Sequence, residues 1–446
     1  MRTRHLRLTL SLALLSVGAL VLAGCVAPAV EEGGEGTDAA GAATSTASFW
    51  DSSTVHAISV DADEDALAQL LKTYGSTGDK EWIEVTVTID GQVYERAGLK
   101  LKGNSSLKSV TSDDDPSGIP WVIRLDKFVD DQNHEGITEF VVRGNSSETS
   151  LNEAVALDLL DRAGLASEQA AATRFTIGGS TSLRLVVENP GESWNESTLG
   201  ATSLYKAESG GDYSYRGDDA ESYTDVFDQE AGEDDLSPLI SFLEFINDSD
   251  DDTFSAELSE HLDVTEFATY LAFQDLVDNF DDIDGPGNNS YLAYDADTDL
   301  MTVVNWDLNL AFGASPGGAG AGGARGDGTA MPDRGDAGAP EGDAGANRPA
   351  RPDDTGGVAG PEMGGGGGRG GSNILATRFL ADEDFHALYE SELERLRDLF
   401  YGSGAAEEIL QTWSDALVAG AGDLVDADVI ASDAADLTAS FERLAD

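Results

Sequence analysis

The sequence predicts an α+β fold in two lobes, a β-rich N-terminal lobe and a mainly helical C-terminal lobe. Three observations support this prediction. Alternating apolar residues mark strands between residues 83 and 188, amphipathic helical periods dominate from residue 237 onward, and a stretch rich in Gly, Ala, Pro, Asp and Arg (314–372) interrupts the helical half. Strands that precede helices along the chain are typical of α+β domains.

The first two strands are predicted to form a hairpin. Apolar side chains alternate along one face at Ile83, Val85, Val87 and Ile89. Asp90-Gly91 then interrupts the alternation before it resumes, and this dipeptide between alternating runs is a strong hairpin signal. Further strands are predicted in "PWVIRLDKF" (120–128), "TEFVVRG" (138–144), "ATRFTIGG" (172–179) and "SLRLVVENP" (182–190).

A first long helix is predicted over residues 150–164. Ser150 and Glu153 have the spacing of a capping box, the apolar residues recur on one face, and Gly164 ends the pattern. Later helices are predicted over 237–248, over 263–280, where Asp263 and Glu266 repeat the capping-box spacing, and over 374–400.

The N-terminal residues predict export and lipid anchoring. A segment with three arginines precedes an apolar stretch, residues 8–22, that is too short for a typical membrane span. Small residues then lead into Cys25, the only cysteine of the chain. This pattern is typical of a bacterial lipoprotein. We therefore expect a signal peptide over 1–24, a lipid anchor at Cys25, a flexible tether over 25–48 and an extracytoplasmic protein held at the cell membrane.

The charge of the chain restricts its partners. With 84 acidic and 26 basic residues the net charge is −58, so a nucleic acid would be repelled and is not an expected partner. Residues 314–372 hold almost no large apolar side chain, and we expect them to be disordered. The folded domain is therefore predicted in two parts, residues 49–313 and residues 373–446.

Acidic and amide side chains concentrate in "NFDDIDGPGNNSYLAYD" (279–295) and "NWDLNLAFG" (305–313). Neither stretch has the glycine and glutamate positions of an EF-hand calcium loop. Strands predicted over 290–294 and 300–306 form a hairpin, which would place Asn289 and Asp307 opposite each other at its open end.

The loop before this hairpin carries Asp281 and Asp284, which would lie beside Asn289 and Asp307. Such oxygen donors suit a hard cation such as Mg²⁺ or Mn²⁺. Asp284 and Asn289 stand five residues apart, the spacing of the Asp and Asn in a protein-kinase catalytic loop, where a further hairpin leads to a metal-binding Asp. Asp307 has the position of that third residue.

Seven segments occur in the order seen in the spore coat protein H (CotH) family. They are "LKLKGNSS", "PWVIRLDKF", "SLNEAVALDLLDRAG", "TSLYKAE", "NNSYLAYD", "NWDLNLAFG" and, after residues 314–372, "NILATRFLADEDF". From about residue 50 to residue 446 the chain resembles this family. The resemblance implies a two-lobed, atypical protein-kinase-like fold that transfers the γ-phosphate of ATP to Ser or Thr of secreted or surface proteins.

The resemblance also implies site residues. Gly103 and Ser105 match the loop that covers the nucleotide phosphates, Arg124 matches a basic strand residue, and Glu153 matches the helix acid that pairs with that base. Lys206 is a further candidate for the phosphates, and Glu188 is a candidate for the hinge. These assignments name the following nucleotide-binding candidates: Gly103, Ser105, Arg124, Glu153 and Lys206.

Two questions stay open at this level. The family pattern N-x-D selects Asp281 as the catalytic base, whereas the five-residue spacing selects Asp284, which we slightly favour. The family usually reads W-D-x-D, but here Asn309 replaces the second Asp, which would leave Asn289, Asp307 and Asn309 as metal ligands with one charge fewer. The chain is therefore either an active kinase, an inactive relative that serves as a surface scaffold or adhesion protein, or a transferase for another group.

Overall fold

A computed structural model of the chain describes residues 48–103, 105–107, 110–111, 114–145, 147–209, 211–314 and 373–446. The predicted signal peptide, the lipid-anchored cysteine and nearly all of the tether lie outside the described residues, as do residues 315–372. The described part is β-rich at its N-terminal side and helical at its C-terminal side, and this aspect of the predicted fold is confirmed.

Seven strands of the N-terminal part form a closed barrel. They are β1 (His56–Asp61), β2 (Ile83–Ile89), β3 (Gln92–Leu101), β4 (Trp121–Arg124), β5 (Glu139–Val142), β6 (Ala170–Ile177) and β7 (Ser180–Glu188), in the spatial order β1-β2-β3-β4-β5-β7-β6. Parallel pairing of β1 with β6, with Ile58 beside Phe175, closes the barrel. A closed seven-stranded barrel is not the usual N-terminal lobe of a protein kinase, so this part departs from the expected fold.

The predicted hairpin turn is confirmed. Asp90 and Gly91 alone separate β2 from β3, with φ values of 45° and 85°. Positive φ at both central residues is what a two-residue type I′ turn requires, and Gly tolerates it without steric cost. Inward-facing apolar side chains such as Val87, Leu99 and Ile123 are fully buried and fill the barrel.

A second sheet belongs to the C-terminal part and has the order β11-β10-β8-β9. Its strands are β8 (Ser203–Ala207), β9 (Phe227–Ala231), β10 (Ser290–Asp295) and β11 (Leu300–Asn305). The predicted hairpin β10–β11 forms, but Ser290 pairs with Asn305. This register places Asn289 opposite Trp306 and sets Asp307 one residue farther along than predicted.

The described residues also form ten α-helices. They are α1 (Glu64–Thr77), α2 (Leu151–Ala163), α3 (Glu192–Trp194), α4 (Ser237–Asp248), α5 (Asp251–Glu257), α6 (Val264–Leu276), α7 (Ile374–Ala381), α8 (Glu383–Arg397), α9 (Ala405–Gly420) and α10 (Ala427–Ala445). One large apolar core joins α2 to the C-terminal helices and to one face of the second sheet. None of these helices is both long and apolar enough to cross a membrane.

Two helix predictions are wrong in detail. The helix expected over 374–400 is broken at Asp382, whose side chain accepts the N–H groups of Asp384 and Phe385 and so begins α8. The helix expected over 263–280 ends at Leu276, and Asp278 adopts a φ of 46° that cannot continue a right-handed helix. The early end of α6 leaves residues 277–289 as a loop.

The capping box predicted at α2 does not form. Ser150 has a φ of 52° and makes no side-chain bond to the first turn of the helix. Glu153 points instead into an ion pair with Arg143, a contact that local sequence spacing cannot reveal. Gly164 ends α2 in the left-handed conformation, as predicted.

Candidate active site

The loop between α6 and β10 is built around the carboxylate of Asp281. The backbone N–H of Gly287 donates to this carboxylate, and the amide Nδ2 of Asn289 donates to the backbone carbonyl of Asp281 at 2.9 Å. A Cβ on Gly287 would lie 2.6 Å from both carboxylate oxygens, so any other residue there would displace the carboxylate of Asp281. The loop therefore holds Asp281 and Asn289 next to each other.

Asp284 has different surroundings in the same loop. Its Oδ1 accepts the backbone N–H of Asn373 at 2.6 Å, at the residue where the described chain resumes. The side chain of Asn373 then begins α7 by accepting the N–H of Leu375. Asp284 thus connects the loop to the C-terminal helices, whereas Asp281 faces Asp307 closely enough for the two charges to interact.

Asp307 follows β11 and has a left-handed backbone, with φ 62° and ψ 68°. This conformation is unfavourable for a residue with a Cβ and is concentrated at functional sites. The guanidinium of Arg143 contacts the Asp307 carboxylate and also lies 2.8 Å from Glu153 of α2. Arg143 therefore connects the strand β5, the helix α2 and the end of the β10–β11 hairpin.

Burial and neighbouring charges both shift the pKa values of the ionisable residues in this group. Burial alone would lower the pKa of Arg143, but Asp307 and Glu153 outweigh it and raise that pKa, so the guanidinium stays charged. Burial raises the pKa of Glu153 to about 7, against the attraction of Arg143. Burial also raises the pKa of Asp281, and the nearby Asp307 charge adds to that rise.

The predicted pairing of Arg124 with Glu153 does not occur. Arg124 lies at the far end of β4, where its Nε contacts Asp126 at 2.7 Å. Arg143 is the first residue after β5, in the connection to α2. It forms the ion pair with Glu153 that was expected of Arg124. The sequence held a signal for this base, because Arg143 is the last basic residue before Glu153 and comes at the end of a predicted strand.

Four of the seven lysines of the chain interact electrostatically in pairs near this group. Lys80 interacts with Lys100 and with Lys206 of β8, and Lys102 interacts with Lys206. We call these four residues the lysine cluster. Lys102 Nζ lies 3.1 Å from Asn189 Oδ1 and 5.2 Å from the ring centre of Trp306, the neighbour of Asp307. The lysine cluster therefore adjoins the Asp307 end of the site.

The positive charges of the lysine cluster repel one another and attract anionic groups. Burial and, as the next cause, the neighbouring Lys206 together lower the pKa of Lys102 to about 8, against the attraction of Glu230 and Glu139. Burial likewise lowers the pKa of Lys80, with Lys100 and Lys206 as the next causes. Carboxylates offset part of this charge, since Lys206 Nζ lies 2.6 Å from Glu208. In a chain with a net charge of −58, such a cluster suits a polyanionic ligand.

The remaining predicted site residues are Gly103, Ser105, Asn309 and Glu188, and they lie in separate parts of the fold. Gly103 follows Lys102 at the start of the β3–β4 connection and has a φ of 97°, whereas the side chain of Ser105 lies outside the described residues. Asn309 offers its backbone carbonyl to Asn152 of α2 at 2.7 Å. Glu188 is buried at the end of β7 and accepts the backbone N–H of Gln169 at 2.9 Å.

Few side chains around Asp281 and Asp307 could act as metal ligands. Within the described ranges, no group of three or more His, Cys, Asp or Glu side chains is arranged to hold a metal ion. Two carboxylates and the amide of Asn289 are nevertheless hard oxygen donors. Mg²⁺ is usually bound by one or two carboxylates together with substrate phosphates and not by an all-protein cage. The residues present therefore fit a cation that enters with a nucleotide.

Comparison with known proteins identifies the family of the chain. A profile of the family described as CotH kinase protein matches residues 99–422, which is most of the chain and contains every residue of the site from Lys100 to Asp307. None of the curated proteins matches the chain. The Arg143–Glu153 pair, the loop around Asp281 and the barrel strands from β4 onward lie within the matched range, whereas β1 and β2 precede it. The chain belongs to the CotH kinase family, whose members are kinase-like proteins.

Proposed function

We propose that this protein is an ATP-dependent protein kinase that acts outside the cytoplasm. It transfers the γ-phosphate to Ser or Thr of secreted or cell-surface proteins while a lipid at Cys25 holds it at the membrane. The convergence of Asp281, Asn289 and Asp307 beside the Arg143–Glu153 pair supports this function most directly. These are the residue types, in the chain order, that a kinase site requires.

The proposed fold is kinase-like with two lobes. The barrel, together with α2, corresponds to the nucleotide-covering lobe, and the helical part corresponds to the lobe that carries the catalytic loop. The arrangement Arg143–Glu153 supports this proposal because a basic residue on a strand and an acid on the next helix pair in protein kinases. Arginine keeps its charge when buried more readily than lysine does.

Each residue has a defined task in the proposed transfer. Asp281 accepts the proton of the acceptor hydroxyl, the acceptor oxygen bonds to the γ-phosphorus, and the bond from that phosphorus to the β,γ-bridging oxygen breaks as ADP leaves. Arg143 and the lysine cluster offset the phosphate charge. Asp307, Asn289 and the side-chain oxygen of Asn309 would hold Mg²⁺ or Mn²⁺. The metal, when bound, supplies further charge compensation at the β- and γ-phosphates.

The test is phosphate incorporation from radiolabelled ATP. With Mg²⁺ or Mn²⁺, the full chain is expected to label itself or a Ser-rich substrate, and Asp307→Ala is expected to abolish labelling. Asp297→Ala is the matched control, because Asp297 is an exposed aspartate at the opposite end of the same hairpin. A wild-type protein that neither binds ATP nor labels any substrate across metals and salt concentrations would refute the kinase function.

A second candidate is an inactive, CotH-like surface scaffold or adhesion protein. Two observations favour it: Asn309 stands where the family usually has Asp, and Arg143 already contacts the Asp307 carboxylate that a metal would need. ATP binding without transfer would favour this candidate or the transfer of another group. Mass spectrometry of labelled substrates then separates those two outcomes.

A further inference from the structure

Two apolar residues of the loop that carries Asp281 stay exposed. Phe280 precedes Asp281 and is 40% exposed, and Pro286 is exposed next to Gly287. Among the described residues, the large apolar side chains with such exposure are Val93, Phe128, Phe280 and Val418. Phe280 is the one that lies at the candidate active site. We call Phe280 and Pro286 the apolar rim.

The loop keeps the apolar rim in place. Gly285 packs so closely on the preceding turn that a Cβ there would lie 2.6 Å from the carbonyl oxygen of Phe280 and 2.8 Å from the carbonyl carbon of Asp281. Gly287 is held by its bond to Asp281. Pro286 lies between these two glycines, so both members of the rim are tied to the backbone that positions the candidate base.

The exposure of Phe280 has no local explanation. Its neighbours Asn279, Asp282 and Ile283 are nearly fully buried, with exposures of 4%, 2% and 2%. A large aromatic side chain left in water forgoes roughly 25 cal/mol of stabilisation for each Å² that it fails to bury. Single exposed apolar residues are common on protein surfaces, so the position of Phe280 directly beside the candidate base, and not its exposure alone, points to a role in substrate binding.

We propose that the apolar rim binds a large apolar side chain directly before or after the acceptor Ser or Thr of a separate, non-acidic polypeptide. This proposal rests on the proposed kinase function. Phe280 is adjacent to Asp281, and consecutive residues of a bound chain are only about 3.8 Å apart. A side chain that contacts the rim while Asp281 contacts the acceptor hydroxyl must therefore belong to a sequence neighbour of the acceptor.

The chain itself does not supply this partner. Residues 315–372 leave and rejoin the described chain near the same loop, since Gly313 N donates to Asp278 O at 3.2 Å and Asn373 N donates to Asp284. Yet those residues contain no Leu, Ile, Phe, Tyr or Trp, and their larger apolar residues, Met331, Val358 and Met363, are not adjacent to a Ser or Thr. Four aspartates in the loop, at 278, 281, 282 and 284, also repel an acidic acceptor. A separate polypeptide without acidic residues near its acceptor fits both conditions.

The experiment compares two peptides with the full chain. Both carry one Ser and no acidic residue, and they differ only in a Leu or a Gly on each side of that Ser. Wild type is expected to phosphorylate the Leu peptide with a kcat/KM roughly ten-fold higher, a typical effect of one apolar contact. Phe280→Ala is expected to bring this ratio close to one. Val418→Ala, an equally exposed apolar residue on α9, serves as the matched control.

Three outcomes are distinct. A ratio that falls in Phe280→Ala and persists in Val418→Ala supports the apolar rim as the binding surface. A wild type that transfers phosphate without preferring Leu, or a preference that survives Phe280→Ala, overturns the rim and leaves the kinase function standing. Absence of transfer to any peptide or protein by wild type overturns both proposals.

Discussion

Asp281 and Asp284 lie three residues apart, yet their carboxylates have different partners. Asp281 accepts the N–H of Gly287 and interacts with Asp307, whereas Asp284 accepts the N–H of Asn373. The five-residue spacing to Asn289 slightly favoured Asp284 as the base. The contacts favour Asp281, because its carboxylate interacts with Asp307 and Asn289, the residues proposed to hold the metal ion.

We therefore expect Asp281→Asn and Asp284→Asn to behave differently. Asp281→Asn should lower kcat by about 10²- to 10⁴-fold, the usual effect of losing a general base. Asp284→Asn should change kcat by less than about ten-fold and lower Tm, since it weakens the connection to α7. Steady-state kinetics and calorimetry on both variants make the test, and a larger kcat loss in Asp284→Asn would reverse the assignment.

Glu168 gives a prediction about pH. It lies between α2 and β6, is 3% exposed, and neither carboxylate oxygen has a hydrogen-bond partner among the described residues. Burial raises its pKa from 4.5 to about 8, so the folded state keeps a proton that the unfolded state releases. The free energy of unfolding therefore decreases as the pH rises through that range.

Glu168→Gln removes this titration without changing the shape of the side chain. At pH 8.5 we expect the variant to unfold with a free energy about 1 to 3 kcal/mol higher than wild type, because no buried charge forms. At pH 4.5 both proteins hold a neutral side chain and should have equal stability. Denaturant unfolding at the two pH values checks this, and a pH-independent difference would contradict it.

The loop 277–289 shows how an element positions one carboxylate. Gly287→Ala would place a methyl carbon 2.6 Å from both oxygens of Asp281. We expect kcat to fall at least about ten-fold while Tm changes little, because the displaced group is half-buried and small. Gly75→Ala is the control: Gly75 lies inside α1 with open space around it, so this change should raise stability by about 1 kcal/mol and leave kcat unaltered.

Helix α2 is held by contacts from the C-terminal helices. Trp413 Nε1 of α9 donates to Asp158 Oδ2 at 2.8 Å, and Thr149 Oγ1 donates to Asp433 Oδ2 of α10 at 2.5 Å. Burial raises the pKa of Asp158 to about 6, with the Trp413 bond opposing that rise. The position of Glu153 therefore depends on elements more than 250 residues away in the sequence.

Trp413→Phe tests this dependence. It leaves Asp158 buried without its donor, so the free energy of unfolding should fall by about 1 to 3 kcal/mol. Trp50→Phe is the matched control, because Nε1 of Trp50 is buried and has no partner in the described structure. Equal losses in both variants, measured by denaturant unfolding, would mean that the Asp158 bond contributes nothing.

At the scale of the whole molecule, net charge dominates. The chain carries a charge of −58, while four of its seven lysines form the lysine cluster, in which Lys102 lies over Trp306, the neighbour of Asp307. Raising NaCl from about 0.05 to 1 M shortens the screening length from over 10 Å to about 3 Å. We therefore expect Tm to rise with salt as self-repulsion weakens, and the KM for ATP to rise over the same range. Calorimetry and kinetics across a salt series test this, and a Tm that falls with salt would contradict it.

Local signals predicted much of the fold. The Asp90-Gly91 turn, the Gly164 helix end and the hairpin β10–β11 depend on residues close together in sequence, and all three form. Predictions that relied on spacing alone were less accurate. Ser150 and Glu153 have capping-box spacing, but the ion pair with Arg143 fixes Glu153 in another role, because a buried carboxylate needs a cationic partner more than an exposed cap.

The sequence by itself determined the family, the residue types at the site and many of the strands and helices, but not β1 or α1. Only the tertiary structure decided that β1 pairs with β6 to close a barrel, that Arg143 and not Arg124 pairs with Glu153, and that Lys102 lies over Trp306, the neighbour of Asp307. The physical reason is separation along the chain. Arg143 and Asp307 are 164 residues apart, and no local periodicity or spacing records a contact that exists only when the barrel packs against the second sheet.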